Sequence, residues 1–328
     1  MNNAINFQKI PALFRPTEII VVDDDSSFLE GFLFFIPDDI KCRTFQHPQL
    51  AIDYLNNPLL TSKHEEQYLT INEEQEEYPT IDINIYKEIY NKNRFNEVSV
   101  LVADYSMPRL TGIELCNSIE NKRIKKLLLT GEASNELAVQ AFNNNEIDKF
   151  LLKKAKNIYG PLLKYIIDLQ ILYHEDLSYK SFPSFLMSGL DILKDDRYIH
   201  IFNNIIKKFE IVEFYILDEN GSYIMLNDEG VITLFIVRKK SDIVEQVDFV
   251  KTFDVSQNII DDLEQCKRFP FFFSEDDFSV SPENWEKYMH KCNKINDNSE
   301  YYYAIINNPS IYKFDEKEIT SYKKHLDI

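Results

Sequence analysis

Carboxylates, a hydroxyl and an ammonium recur in this chain at the ends of short apolar runs. Ile19-Ile20-Val21-Val22 is followed by Asp23, Asp24 and Asp25, and the run from Val98 to Ala103 by Asp104. Leu127-Leu128-Leu129 is followed by Thr130, and Phe150-Leu151-Leu152 by Lys153. Carboxylate oxygens suit a hard divalent cation, and an ammonium beside them suits the oxygens of a phosphoryl group. In an open parallel α/β sheet, ligand sites form outside the C-terminal ends of the strands. The four patches therefore read as one divalent-cation and phosphoryl site.

The elements that must hold these residues follow from the hydrophobic pattern. Residues 17–22 read as a first strand, Ser26 to Ile36 as a helix, and residues 40–45 as a second strand. Pro48 sits where a helix can start, with Leu50, Ala51, Tyr54 and Leu55 following at helical spacing. Three more strands end at Asp104, Thr130 and Lys153, separated by helical stretches Ile113–Asn121 and Asn135–Asn144. Alternating strands and helices predict an α/β domain, a doubly wound five-stranded parallel sheet in flavodoxin-like order.

Beyond Asp104 the chain continues Tyr105-Ser106-Met107-Pro108-Arg109-Leu110-Thr111-Gly112. The ordered set of acidic pair, Asp-x-x-Met-Pro-x-x-x-Gly, Thr and Lys resembles the CheY-like receiver domain of two-component response regulators, over residues 17 to 175. That resemblance implies that Asp104 accepts a phosphoryl group from a sensor histidine kinase or phosphorelay protein. It implies Mg²⁺ held by Asp23, Asp24, Asp104 and the backbone carbonyl of Ser106, with Lys153 pairing with the phosphoryl oxygens. Thr130 and Phe150 take the positions of the family's switch pair, and Ser106 and Glu132 those that tune phosphoryl lifetime. Two departures stand out. Lys154 occupies the place of a customary proline, and Asp24 and Asp104 lie 80 residues apart, nearly twice the family's usual spacing.

The excess falls at residues 57–97. It holds six glutamates between Glu65 and Glu77, expected as a solvated loop, and then Thr80 to Tyr90. There Ile81, Ile83 and Ile85 alternate as in a strand, while Ile81, Ile85 and Ile89 fit a helix; a helix packed on the receiver is the expectation. Residues 157–180 predict a long last helix with a broad apolar face from Leu162 to Tyr173. That face suits burial against a second domain. By resemblance it could instead be a homodimer seam, since receivers commonly pair through their last helices and strand.

Residues 1–175 read as the receiver domain with its insert, and residues 176–328 as an α+β output domain with an antiparallel sheet. Tyr198 to Phe209 repeats as a helix, and a meander follows over 211–217, 222–226 and 231–237, joined by acidic turns ending in Gly221 and Gly230. Phe271–Phe273 and Tyr301–Ile306 read as further strands, with helices over 242–267 and 315–326.

Composition narrows what this half does. Residues 1–170 carry 18 basic against 25 acidic side chains, a net −7, leaving −11 of the total −18 to the rest. An acidic output half argues against duplex binding, which needs a basic face. His174-Glu175-Asp176 and His200 read as surface or core residues of helices. A phosphorylation-controlled interaction module ranks first, a transcription regulator second and an enzyme third, since no convergent catalytic set is visible. The long insert and the α+β second half look most like the Lqs quorum-sensing regulators of Legionella. That likeness implies an α-hydroxyketone signalling pathway, and keeps a nucleotide- or nucleic-acid-binding output open against the charge. Cys42, Cys116, Cys266 and Cys292 are scattered and read as reduced thiols. No apolar stretch is long enough to span a membrane and the N-terminus does not resemble a signal peptide, so a cytoplasmic protein is expected.

Overall fold

Strands buried on both faces lose their polar alternation, which is why the first half of the chain reads as unbroken Val, Ile and Leu runs. The computed structural model describes residues 6–57, 69–72, 80–83, 85–131, 135–154, 157–181, 191–253, 255–273 and 282–326. Its first eight strands are β1 (Leu13–Phe14), β2 (Glu18–Val22), β3 (Cys42–Phe45), β4 (Leu69–Asn72), β5 (Thr80–Ile83), β6 (Val98–Asp104), β7 (Lys125–Thr130) and β8 (Lys149–Leu152). Six helices accompany them: α1 (Ser26–Phe35), α2 (Pro48–Leu55), α3 (Ile85–Ile89), α4 (Gly112–Ser118), α5 (Asn135–Asn143) and α6 (Tyr159–Ser181).

β2, β3, β6, β7 and β8 form the expected parallel sheet, in the order β3-β2-β6-β7-β8. Every residue of β2, β6 and β7 is buried. The two-residue period sorts them between two cores. Ile19, Val21, Val100, Val102, Leu127 and Leu129 meet Phe28, Leu29 and Phe32 of α1 and Leu162, Ile166 and Leu169 of α6. Ile20, Val22, Leu101, Ala103 and Leu128 face α2, α4 and α5 through Ala51, Leu55, Leu115, Ala138 and Ala141. Helix starts follow local rules: Asp25 caps α1 by accepting from the Ser27 and Phe28 amides, and Thr111 with Glu114 forms a capping box on α4.

The second sheet is antiparallel. Its strands are β9 (Ile211–Ile216), β10 (Tyr223–Asn227), β11 (Ile232–Lys239), β14 (Asn293–Lys294) and β15 (Tyr301–Asn307), with a separate ribbon of β12 (Arg268–Pro270) and β13 (Met289–Lys291) between. The order is β1-β9-β10-β11-β15-β14, so Leu13 and Phe14, counted with the receiver on sequence, pair instead with Tyr215 and Phe214.

Several expectations are corrected here. The later insert is both strand and helix: β5 pairs with β4, and α3 follows, so each isoleucine pattern holds over its own stretch. Ile85 and Ile89 of α3 lie in the core of the second sheet, not on the receiver. The strand near Phe271–Phe273 is β12, which ends at Pro270; the phenylalanines that follow pack as an aromatic cluster with Tyr288, Tyr312 and Phe314. The helix expected over 242–267 is two, Lys240–Val250 and Gln257–Glu264, separated by a turn at Thr252 and Phe253. Of the helix expected over 315–326 only Tyr322–Leu326 forms, because Asp315 turns the chain by accepting from the Lys317 amide.

α6 belongs to both halves. Leu162, Ile166 and Leu169 sit in the receiver core, while Ile167, Tyr173 and Leu177 sit in the core of the second sheet. The broad apolar face thus meets the second domain. Among the described residues no helix is long and apolar enough to cross a membrane.

Candidate functional site

Parallel register brings the four patches to one edge. Val22 lies opposite Ala103, Asp104 opposite Leu129, and Thr130 opposite Leu152, so Asp23, Asp104, Thr130 and Lys153 leave neighbouring strands at almost one level. One oxygen from each of Asp23, Asp24 and Asp104 lies within 4.8 Å of the others. Asp23 and Asp104 are buried and Asp24 is exposed, so the cluster opens to solvent on one side.

Lys153 closes the other side. Its ammonium donates to Asp23 Oδ1 at 2.8 Å and lies 2.7 Å from Asp23 Oδ2 and 3.2 Å from Asp104 Oδ1. The remaining Asp104 oxygen, Oδ2, accepts from the Ser106 amide at 3.0 Å, and Asp23 Oδ1 also accepts from the Asp25 amide at 3.0 Å. Burial raises the Asp23 carboxyl above its ordinary range, against the hydrogen bonds and charge of Lys153 and the Asp25 amide, which pull it back. Burial also pulls the Lys153 ammonium down, but its hydrogen bonds and the charges of Asp23 and Asp104 outweigh that and raise it.

Backbone geometry supports the same edge. The Tyr105 amide donates to the Leu129 carbonyl, and the Gly112 amide to the Tyr105 carbonyl, folding the loop after Asp104 back over the strand end. A Cβ at Gly112 would run into the Asp104 carbonyl and come within 2.7 Å of Leu128 Cδ1, so only glycine lets α4 start this close. The Lys153 amide donates to the Thr130 carbonyl at 2.9 Å, tying the lysine to the threonine strand.

Every site residue named from the sequence falls at or beside this edge, with Phe150 two positions inside it on β8 opposite Leu128, except Glu132, which lies outside the described residues. Thr130 is fully buried and its hydroxyl donates to the Gly131 carbonyl at 3.1 Å. Phe150 is half-buried, with its ring edge-on to Phe142 at 6.3 Å. Three residues escaped the sequence reading. Phe28 places its ring 4.9 Å below the Lys153 ammonium, and Tyr159 of α6 packs on Phe28 above Gly31. Gly31, one of only seven glycines and set inside a helix, was the available signal.

The donor set fits a hard cation. Asp23 Oδ2 is buried, touches the lysine only as an ion pair and accepts no hydrogen bond, so a lone pair is free for another positive partner. All-oxygen donors around it suit magnesium better than a soft metal.

No protein-family model matches this sequence, and a search of curated proteins finds no match. Among solved structures, that of the Legionella pneumophila response regulator LqsR aligns over 98 % of this chain and 97 % of its own, with a TM-score of 0.79 and 27 % identity. Adenylate cyclase from Rhodopirellula baltica matches 53 % of this chain and 98 % of its own at a TM-score of 0.35 and 19 % identity. A response regulator receiver domain protein from Clostridium thermocellum matches 49 % and 98 % at 0.32 and 19 %. With the four patches folded into one acidic edge, and with a likeness to LqsR that runs almost end to end, the chain is similar to a two-component response regulator with a CheY-like receiver domain.

Proposed function

We propose that the protein receives a phosphoryl group on Asp104 from a sensor histidine kinase or phosphorelay protein, with a magnesium ion in the site. The observation that carries this reading is the Lys153 ammonium bridging Asp23 and Asp104 beside a third carboxylate. Asp23, Asp24 and Asp104, with the Ser106 carbonyl, would hold the ion. Once bound it offsets the charge of the incoming phosphoryl oxygens and orients them. Asp104 Oδ1 or Oδ2 attacks phosphorus, forming the acyl phosphate as the P–N bond to the donor imidazole breaks; the imidazole leaves with the electron pair and takes a proton. Lys153, already held at this edge, can turn from carboxylate to phosphoryl oxygen without crossing solvent.

In this reading Thr130 reaches the new phosphoryl group with its hydroxyl and gives up its bond to the Gly131 carbonyl, and Phe150 follows by repacking against Phe142. Residues 1–175, apart from β1 and α3 which pack on the second sheet, act as the receiver, and 176–328 as the output half, an interaction module in a cytoplasmic signalling route whose dimerisation is set by phosphorylation. The sequence resemblance to the Lqs regulators adds quorum sensing as the setting.

Intact-mass spectra after incubation with acetyl phosphate test the first step. Wild type gains one phosphoryl group only when Mg²⁺ is present, and Asp104→Asn gains none; equal uptake by the variant removes Asp104 as acceptor. Light scattering of the two forms across a concentration series tests the dimer, which fails if their masses coincide.

A further inference from the structure

A lysine ammonium is a compact charge on a flexible four-carbon stem, so an ion pair alone fixes it poorly. The Lys153 side chain is 24 % exposed and could follow Asp23 alone or swing out to water. The residue after it is Lys154, where no proline stiffens the loop. Yet the ammonium is placed against both Asp23 and Asp104. The third contact is the face of Phe28, with Nζ 4.9 Å from the ring centroid, within the range of a cation–π interaction.

Phe28 is itself held. It stands in the first turn of α1, directly after the Asp25 cap, and is 8 % exposed. Tyr159, at the start of α6, packs on it with ring centroids 5.7 Å apart and donates its hydroxyl to the Phe28 carbonyl at 3.4 Å. The Tyr159 ring is stacked on Phe35 at 5.6 Å as well. It reaches this seat only because residue 31 is glycine: a Cβ there would collide with the tyrosine hydroxyl and sit 3.0 Å from Cζ. Glycine inside a helix costs about 1 kcal/mol relative to alanine, so the notch is retained against local preference.

We propose that Phe28 is a positioning residue for Lys153: its ring, backed by Tyr159 in the Gly31 notch, holds the ammonium between Asp23 and Asp104. The consequence for rate rests on the phosphoryl-acceptor reading above, whereas the placement of the lysine does not. Besides directing the charge, the ring covers one side of the ammonium and keeps water from it, which strengthens its pull on nearby oxygens. The same seat links the beginning of α6, the helix shared with the second domain, to the lysine.

Two readouts separate these claims. Selective ¹³C,¹⁵N labelling of lysine, with Lys153→Arg assigning the resonance, reports ring-current shielding of the Lys153 side chain. Acetyl phosphate uptake with Mg²⁺, followed by intact mass, reports rate. Phe28→Leu abolishes the shielding and slows uptake about threefold to tenfold, while Phe28→Tyr, which keeps the ring face, retains both. Phe28→Met serves as the second ring-free variant should the leucine protein fail to fold. Unchanged shielding in the ring-free variant overturns the placement, and lost shielding with unchanged uptake overturns the positioning role. A wild type that takes up no phosphoryl group defeats the acceptor reading instead, and the lysine shift then decides the Phe28 claim by itself.

Discussion

Single residues at this edge are constrained by space as much as by charge. Gly112 is the plainest case: alanine there must push the Asp104 carbonyl or Leu128, and the start of α4 cannot shift without breaking the Thr111–Glu114 box. Overpacking of this kind costs about 1–3 kcal/mol. Gly112→Ala is therefore expected to lower the urea midpoint and to slow phosphoryl uptake beyond what stability explains, because the displaced atom is Asp104's own backbone. A variant with wild-type midpoint and uptake would mean the loop relaxes freely. The cysteines give an independent residue-scale prediction. Burial pushes the thiols of Cys42, Cys116 and Cys292 up to about 12, so at pH 8 almost no thiolate is present. Ellman's reagent should leave these three unmodified in the native protein and label them quickly in denaturant. The sequence offered only reduced thiols, since scattered cysteines without a histidine cluster gave no metal or disulfide pattern; their burial depends on the tertiary packing.

At the scale of elements, the end of the insert, just before β6, fastens the two sheets. Arg94 and Glu213 of β9 are both fully buried and meet as a bidentate pair at 2.9 and 2.8 Å, with a further bond from Arg94 to the Thr320 carbonyl at 2.7 Å. Tyr215 also donates to Glu213, at 2.8 Å. Arg15 works in parallel, joining Glu88 of α3 and Glu97 beside β6, each at 2.8 Å. Removing one partner from a buried pair leaves an uncompensated charge, so Arg94→Met should cost about 3–5 kcal/mol. The double variant Arg94→Met with Glu213→Met should recover most of that loss, since a buried pair is worth little over apolar residues of similar size. If chemical denaturation shows the double variant no better than the single, the loss comes from packing around Thr320 rather than from the stranded carboxylate. None of this was readable in the chain: the partners are 119 residues apart, and the pairing depends on how the second sheet lies. The parallel strands were readable because burial on both faces leaves one unbroken apolar run per strand. The break between Lys240–Val250 and Gln257–Glu264 was not, because apolar residues continue through Phe249 and Phe253 and hide the turn. The two-residue β1 offered no period at all.

Across the whole molecule the receiver core and the second core share one helix, and its C-terminal half is polar as well as apolar inside. His174 is fully buried on α6, with Nδ1 donating to the Gln170 carbonyl at 2.8 Å and Nε2 accepting from the Arg15 amide at 3.4 Å. Ser178 accepts from the Ala12 amide at 2.9 Å, so the strap leading into β1 and β2 is laced to α6 along its length. Of the two His174 bonds only the second requires the neutral ring, since an imidazolium still donates from Nδ1 to the Gln170 carbonyl but cannot accept at Nε2. Burial pushes its pKa down to about 4, with nearby Arg15 acting in the same direction. The sign follows from linkage. Above pH ~6.5 the ring is neutral folded or unfolded and contributes no pH dependence. Below that the unfolded chain binds a proton that the folded chain refuses, so stability falls from pH ~6.5 until the folded ring titrates near 4. The full difference is on the order of 3 kcal/mol at 1.36 kcal/mol per unit. His290, also pushed down to about 4 by burial, adds to the same slope from the second domain. His174→Gln should flatten the curve between pH 6.5 and 5, leaving the parts due to His290 and to His325, whose ring burial also pushes down. Because α6 ties the cores together, the acid loss should appear as one transition. Trp285, the sole tryptophan and buried beside the second sheet, and the far-ultraviolet circular dichroism of the entire chain should then share a midpoint at every pH. Two midpoints that separate as the pH falls would show that the strap melts first and that the halves unfold independently, and would confine His174 to a local role.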